Sequence, residues 1–251
     1  GVVTLPVLNV DDGSAAPSVG TAIAVAGTTL NLQGDMTTAS GNGTAAANVL
    51  LDGNVVIAGD FKIDTSTGLA ATGNVTVTGT IGDTAIDDVT INAQGNVDLQ
   101  GTATIGSLTI ENAATVGLSA VNTDGAIGIR IGNTTAVTQI NLTGDLDSAR
   151  GNPSTAGPIT LNSNTINLQA DITLDSDTSS GTDGVITVGA TGGAAELRAM
   201  TAGSESLVVM SGNADVTVNA QLGATTRLGN VTFNSTGGTV ALNRDILTEG
   251  G

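Results

Sequence analysis

The phrase Thr29-Leu30-Asn31-Leu32-Gln33-Gly34-Asp35-Met36-Thr37 decides the fold, because it returns. It comes back as Asn96-Val97-Asp98-Leu99-Gln100-Gly101-Thr102-Ala103-Thr104 and as Thr165-Ile166-Asn167-Leu168-Gln169-Ala170-Asp171-Ile172-Thr173. A fainter copy, Thr239-Val240-Ala241-Leu242-Asn243-Arg244-Asp245-Ile246-Leu247, lies near the end of the chain. Each copy alternates apolar and polar residues, turns a polar corner and begins a second alternating run. Alternation marks a strand with one buried face, and self-similarity at this scale marks a solenoid.

Alignment on Leu32, Leu99 and Leu168 gives spacings of 67 and 69 residues. Weaker copies centred on Ile57, Val77, Leu118 and Leu142 fill the intervals, so the steps are 25, 20, 22, 19, 24 and 26 residues. Beyond Leu168 the phase stays open among Val188, Val209, Val218 and Phe233. A period near 20–26 with strand patterning fits a coil of two or three short strands and excludes the longer helical repeats. The reading is an all-β, single-stranded parallel β-helix of about 11 coils, roughly 53 Å long at the ordinary strand spacing. Residues 1–251 form one continuous solenoid without a second domain, with irregular or atypical first coils over 1–27. The seven aligned residues are expected to line one lumen as a single inward ladder.

Composition narrows the function classes. Two phenylalanines are the only aromatic residues, while 36 glycines suit tight corners. The 39% hydrophobic fraction, in alternating strands, argues against disorder. The net charge of −17 argues against nucleic acid and anionic membrane surfaces, both of which need clustered Lys and Arg. No apolar run is long enough for a membrane-spanning helix, and no membrane insertion is expected. Histidine and cysteine are absent, which removes the commonest general base and all thiolate chemistry. Lys62, Arg130, Arg150, Arg198, Arg227 and Arg244 are scattered, so no enzymatic activity is expected.

One stretch carries metal-ligand chemistry. Asp175-Ser176-Asp177-Thr178-Ser179-Ser180-Gly181-Thr182-Asp183 places oxygens at alternating positions, as Ca²⁺ requires, and makes Asp175, Asp177 and Asp183 a calcium candidate. Ser180 and Ile186 stand where a helix–loop–helix calcium loop needs Gly and Glu, so the alternative is a solvated corner. No other cofactor is indicated. Thr76/Thr78 and Thr102/Thr104 form Thr-x-Thr pairs of the kind found on flat ice-binding faces, without once-per-coil recurrence in the sequence.

Gly73-Asn74-Val75-Thr76-Val77, Leu32-Gln33-Gly34-Asp35-Met36-Thr37-Thr38, Ser107-Leu108-Thr109-Ile110 and Gly229-Asn230-Val231-Thr232-Phe233-Asn234 resemble the repeats of filamentous-haemagglutinin-like adhesins and autotransporter passengers. The resemblance covers roughly 28–248. It implies a right-handed coil, export to the bacterial cell surface and a fibrous shaft, and it identifies no functional residue. The family's Asn-Pro-Asn-Gly secretion signature is missing, the nearest match being Asn152-Pro153-Ser154, which implies shaft rather than secretion domain. Two functions stand: the shaft of an extracellular adhesin that meets a host or surface receptor, or a self-assembling subunit of a surface layer, sheath or filament. The final run, Val240–Leu247, carries no polar cap, so copies are expected to associate end to end.

Overall fold

The computed structural model describes residues 1–10, 21–38, 48–66, 73–83, 87–150 and 154–249, with only the backbone at positions 9, 10, 21, 22 and 83. Asn152 and Pro153 lie outside this set. Among the described residues there are 27 strands and no helix. They form a 17-stranded and a 10-stranded sheet, with parallel pairing throughout.

Each coil visits three faces. On the first, Leu51 pairs with Val77, and the register continues through Leu99, Leu118, Leu142 and Leu168 to Ala199. On the second, Leu5 pairs with Leu32 and Leu32 with Ile57; the face runs on through Ile81, Ala103, Val121, Leu146, Leu174 and Val209 to Phe233. The third face is the ten-stranded sheet, from Leu8–Val10 through Ser107–Asn112 to Val240–Leu242. The first two faces share one sheet because Thr21–Leu32 and Asn48–Ile57 run unbroken through the corner between them.

The ten strands of the third face set ten levels, against about eleven expected. Nine spacings give a ladder of about 43 Å. From Leu51 to Ala199 the first-face steps are 26, 22, 19, 24, 26 and 31 residues, longer on average than the sequence suggests. Within 1–27, Val2–Leu5, Leu8–Val10 and the start of Thr21–Leu32 lie in the sheets.

The seven aligned residues are all buried, each 2% exposed or less. They form two ladders rather than one. Leu32 and Ile57 belong to the second face, while Val77, Leu99, Leu118, Leu142 and Leu168 belong to the first. Beyond Leu168 the first face continues through Ala199 and Leu222. Val188 and Val218 are third-face residues, and Val209 and Phe233 second-face ones. Inward Val, Ile and Leu from three faces fill the lumen at every level, as Leu99, Ile105, Leu108 and Ile110 do in one coil. This accounts for a core almost without aromatics.

Glycine fixes one corner. Gly27, Gly53, Gly79 and Gly101 stack between the first and second faces. A Cβ on Gly79 would lie 2.4 Å from the Gly53 carbonyl oxygen, and one on Gly101 2.3 Å from that of Gly79. The chain turns there with backbone directly against backbone.

Candidate functional site

The most regular side-chain device sits at the corners. Asp35 Oδ1 accepts the Lys62 N–H at 2.8 Å, Asp60 Oδ1 that of Asp88 at 3.1 Å, and Asp145 Oδ1 that of Thr173 at 2.7 Å. Asp171 accepts from Ser206 N–H and Asp215 from Thr239 N–H in the same way. Asn48, Asn54 and Asn74 do so with neutral side chains. In each case a corner side chain clasps the backbone one coil further on. A carboxylate is the stronger acceptor for such a bond, so part of the chain's acidity is structural. The aspartates of the recurring Gly/Ala-Asp-apolar phrase carry this role, which the sequence shows as a repeat without showing its purpose.

A second device closes the longer corner loops. In Ile63-Asp64-Thr65-Ser66, Leu146-Asp147-Ser148-Ala149 and Leu174-Asp175-Ser176-Asp177, the aspartate Oδ1 accepts the N–H two residues on, an Asx turn. The following hydroxyl points inward and donates across the loop: Thr65 to Gly73 O, Ser148 to Gly157 O and Ser176 to Gly184 O. Thr123 and Ser211 occupy the neighbouring levels of the Ser148–Ser176 column, and their buried hydroxyls have no protein partner. For Asp64, burial raises the carboxyl, but the Ser66 N–H and hydroxyl and the Lys62 ammonium at 3.2 Å outweigh it and hold it below its ordinary value.

The calcium candidate falls on this device. Asp175 Oδ1 serves its own turn. Asp183 Oδ1 accepts the Thr178 N–H and hydroxyl, and its Oδ2 accepts the Asn213 N–H of the next coil. Asp177 Oδ1 and Asp183 Oδ2 both press on Gly212, where a Cβ would meet them at 2.5 and 2.4 Å. Burial, and then the carboxylates of Asp147, Asp177 and Asp183, push Asp175 above its ordinary value. Asp183 lies below its own: burial raises it, but the hydrogen bonds from Asn213 and Thr178 prevail. The loop thus gives Asp175 and Asp183 work within the fold, and among the described residues no three His, Cys, Asp or Glu side chains group as a metal site.

The faces carry ordered polar columns. On the third face Thr90 and Thr109 are adjacent, and Thr160, Thr187 and Thr217 follow beyond Arg130. This threonine column escapes a search for Thr-x-Thr, whose pairs put Thr76 on the first face and Thr104 on the second. The six basic residues are dispersed, bonding within their own loop, as Arg130 does to Ile127 O, or to other coils, as Arg198 does to Asn167 and Arg150 to Thr104. Shallow grooves lie between rows. One of about 430 Å³ runs past Asp35, Asp60, Lys62 and Glu111, and one of about 280 Å³ opens over Gly117.

Among the described residues, the level at Val240–Leu242 is covered on one side only. Val231, Phe233, Val240 and Ile246 are half-buried, and Leu242 is 43% exposed. Thr239 and Asn243 bond back to Val216 and Val218, so strand alternation turns the Val240 N–H to the free edge. Comparison with family models, curated proteins and solved structures finds no match.

Proposed function

We propose that this chain is a non-enzymatic structural rod, the shaft of a surface-exposed bacterial exoprotein. The observation that carries this reading is the unbroken two-sheet ladder across ten levels, whose corner side chains are engaged in clasping the next coil. A scaffold of this kind transmits length and stiffness, since each coil rests on its neighbours. The resemblance of its repeats to adhesin shafts supports export and an extracellular setting. A second use, self-assembly, would draw on the same geometry: in the 251-residue stretch taken by itself, the strand edge at Val240–Leu242 is open to pairing with a further strand.

The test joins location with chemistry. Immunogold labelling of intact producing cells should find the chain outside the cell, and incubation with polysaccharides should release no reducing ends. A chain confined to the cell interior, or turnover of a polysaccharide, overturns the proposal.

A further inference from the structure

On the outer side of the first face, Thr76, Asp98, Gly117, Asn141, Asn167 and Arg198 occupy one column, one residue per level. Gly117 alone lacks a polar side chain. It lies inside Thr115–Leu118, is paired on both sides and has no left-handed φ, so its backbone does not call for glycine. Glycine within a strand weakens it and often marks a bulge, a tight bend or a place where a ligand or another backbone comes close. Here the missing side chain leaves a notch of about 280 Å³, rimmed by Asp98, Gln100, Asn141, Thr143 and Gln169.

The hydrogen bonds of the column give the notch a polarity. Arg198 can only donate, and its Nε donates to Asn167 Oδ1 at 2.8 Å. This fixes the Asn167 amide, whose Nδ2 donates to Asn141 Oδ1 at 2.8 Å. Asn141 Oδ1 also accepts from Gln139 Nε2. Its Nδ2 hydrogens are left unused beside Gly117. On the far side Asp98 Oδ2 accepts from Gln100 Nε2 at 2.8 Å, while Asp98 Oδ1 points into the gap, 2.7 Å from where a Gly117 Cβ would stand. Amide donors thus face a carboxylate acceptor across an interval of two strand spacings, about 10 Å between backbones.

We propose that the Gly117 notch is a binding site for a neutral, hydroxyl-rich ring, a single saccharide unit. A group that enters must accept from Asn141 and donate to Asp98, which a sugar's hydroxyls do at once. A simple anion meets the Asp98 carboxylate, and a simple cation meets the Asn141 hydrogens, so neither completes the column. The notch is smaller than drug-sized sites, which begin near roughly 300 Å³, and suits one six-membered ring. The proposal does not rest on the shaft reading.

Saturation-transfer NMR tests it with the methyl glycosides of glucose, galactose and mannose at millimolar concentration, and with linear tetrasaccharides of the same sugars. Transfer to ring protons of at least one probe is expected. Transfer to the methyl glycosides assigns a free sugar unit, and transfer confined to the tetrasaccharides assigns a unit within a chain. Gly117→Asn should rebuild the column, abolish transfer and raise the melting temperature. Gly82→Ala, whose Cβ would meet nothing within 4 Å, should leave transfer unchanged. No transfer to any probe, transfer that survives Gly117→Asn, or a Gly117→Asn chain that melts lower than the parent overturns the proposal.

Discussion

Single residues in this fold divide by whether the next coil touches them. A Cβ on Gly101 would stand 2.3 Å from the Gly79 carbonyl oxygen and 2.4 Å from its carbon. Backbone held in a ladder cannot yield as a side chain does, so Gly101→Ala should destabilise by about 1–3 kcal/mol. Gly82 has open space instead, and Gly82→Ala should gain about 0.4–1 kcal/mol by narrowing the unfolded ensemble. Chemical denaturation of the two variants checks the pair, and equal effects would contradict the stacked-glycine corner. Charge follows the same logic. Asp64 and Asp183 are held below their ordinary values, so their contribution is present at neutral pH and is lost as the pH falls through those lowered values. Asp175 is raised by burial and by its acidic neighbours, so its charged form costs stability at neutral pH, and the cost lifts as the pH falls through its raised value. Asp175→Asn keeps an Oδ1 for the Asp177 N–H and removes the charge. It should therefore melt higher than the parent at pH 7, and the advantage should vanish in acid, where both side chains are neutral. An advantage that persists in acid would place its origin elsewhere.

At the scale of strands and corners, the sequence reveals local chemistry better than position. The alternation around Val97–Leu99 and Val75–Val77 is plain, and both strands form as read. The recurring phrase misleads about register because one turn serves two corners. Leu32-Gln33-Gly34-Asp35 leads from the second face to the third, whereas Leu99-Gln100-Gly101-Thr102 and Leu168-Gln169-Ala170-Asp171 lead from the first to the second. Any corner of a three-faced coil asks for the same residues, so alignment on the phrase slides between faces. Ala199 hides the first face after Leu168, because an alanine in the lumen carries no strong strand signal. Asp175, Asp177 and Asp183 form a ligand-like pattern in the sequence; the fold adds that Asp183 accepts a backbone N–H thirty residues away, a partner that no local pattern contains. The clasp itself is testable at Asp171, which accepts the Ser206 N–H at 2.8 Å. Asp171→Ala should cost about 1 kcal/mol, the worth of an ordinary hydrogen bond, and Asp171→Asn should recover most of it. Equal losses in the two variants would mean that the charge, not the bond to the next coil, does the work.

Over the whole molecule, stability and assembly come from one geometry. Every interior level is covered above and below, and the final one on a single side. The inward residues record the difference: Val216 and Val218 are 1% and 2% exposed, whereas Leu242, one level on, is 43% exposed. A further strand laid on this edge would bury that surface at about 25 cal/mol per Å² and satisfy the free N–H and C=O groups. At the other end, among the described residues, Val2–Leu5 pairs only with Thr29–Leu32, and the inward Val3 is half-buried. The two edges of this 251-residue stretch differ, so isolated copies of it that pair through them pair head to tail. Light scattering on the isolated 251-residue stretch should show mass that grows with concentration. Val240→Pro separates this edge from nonspecific stickiness. The Val240 N–H faces the free edge, so proline removes a donor without breaking a bond within the fold, and an edge strand tolerates it. The variant should keep the parent's circular dichroism and melting temperature while its association weakens. A parent that stays monomeric over a wide concentration range, or a Val240→Pro chain that associates as strongly as the parent, would leave the rod intact as a shaft and remove the case for growth through its ends.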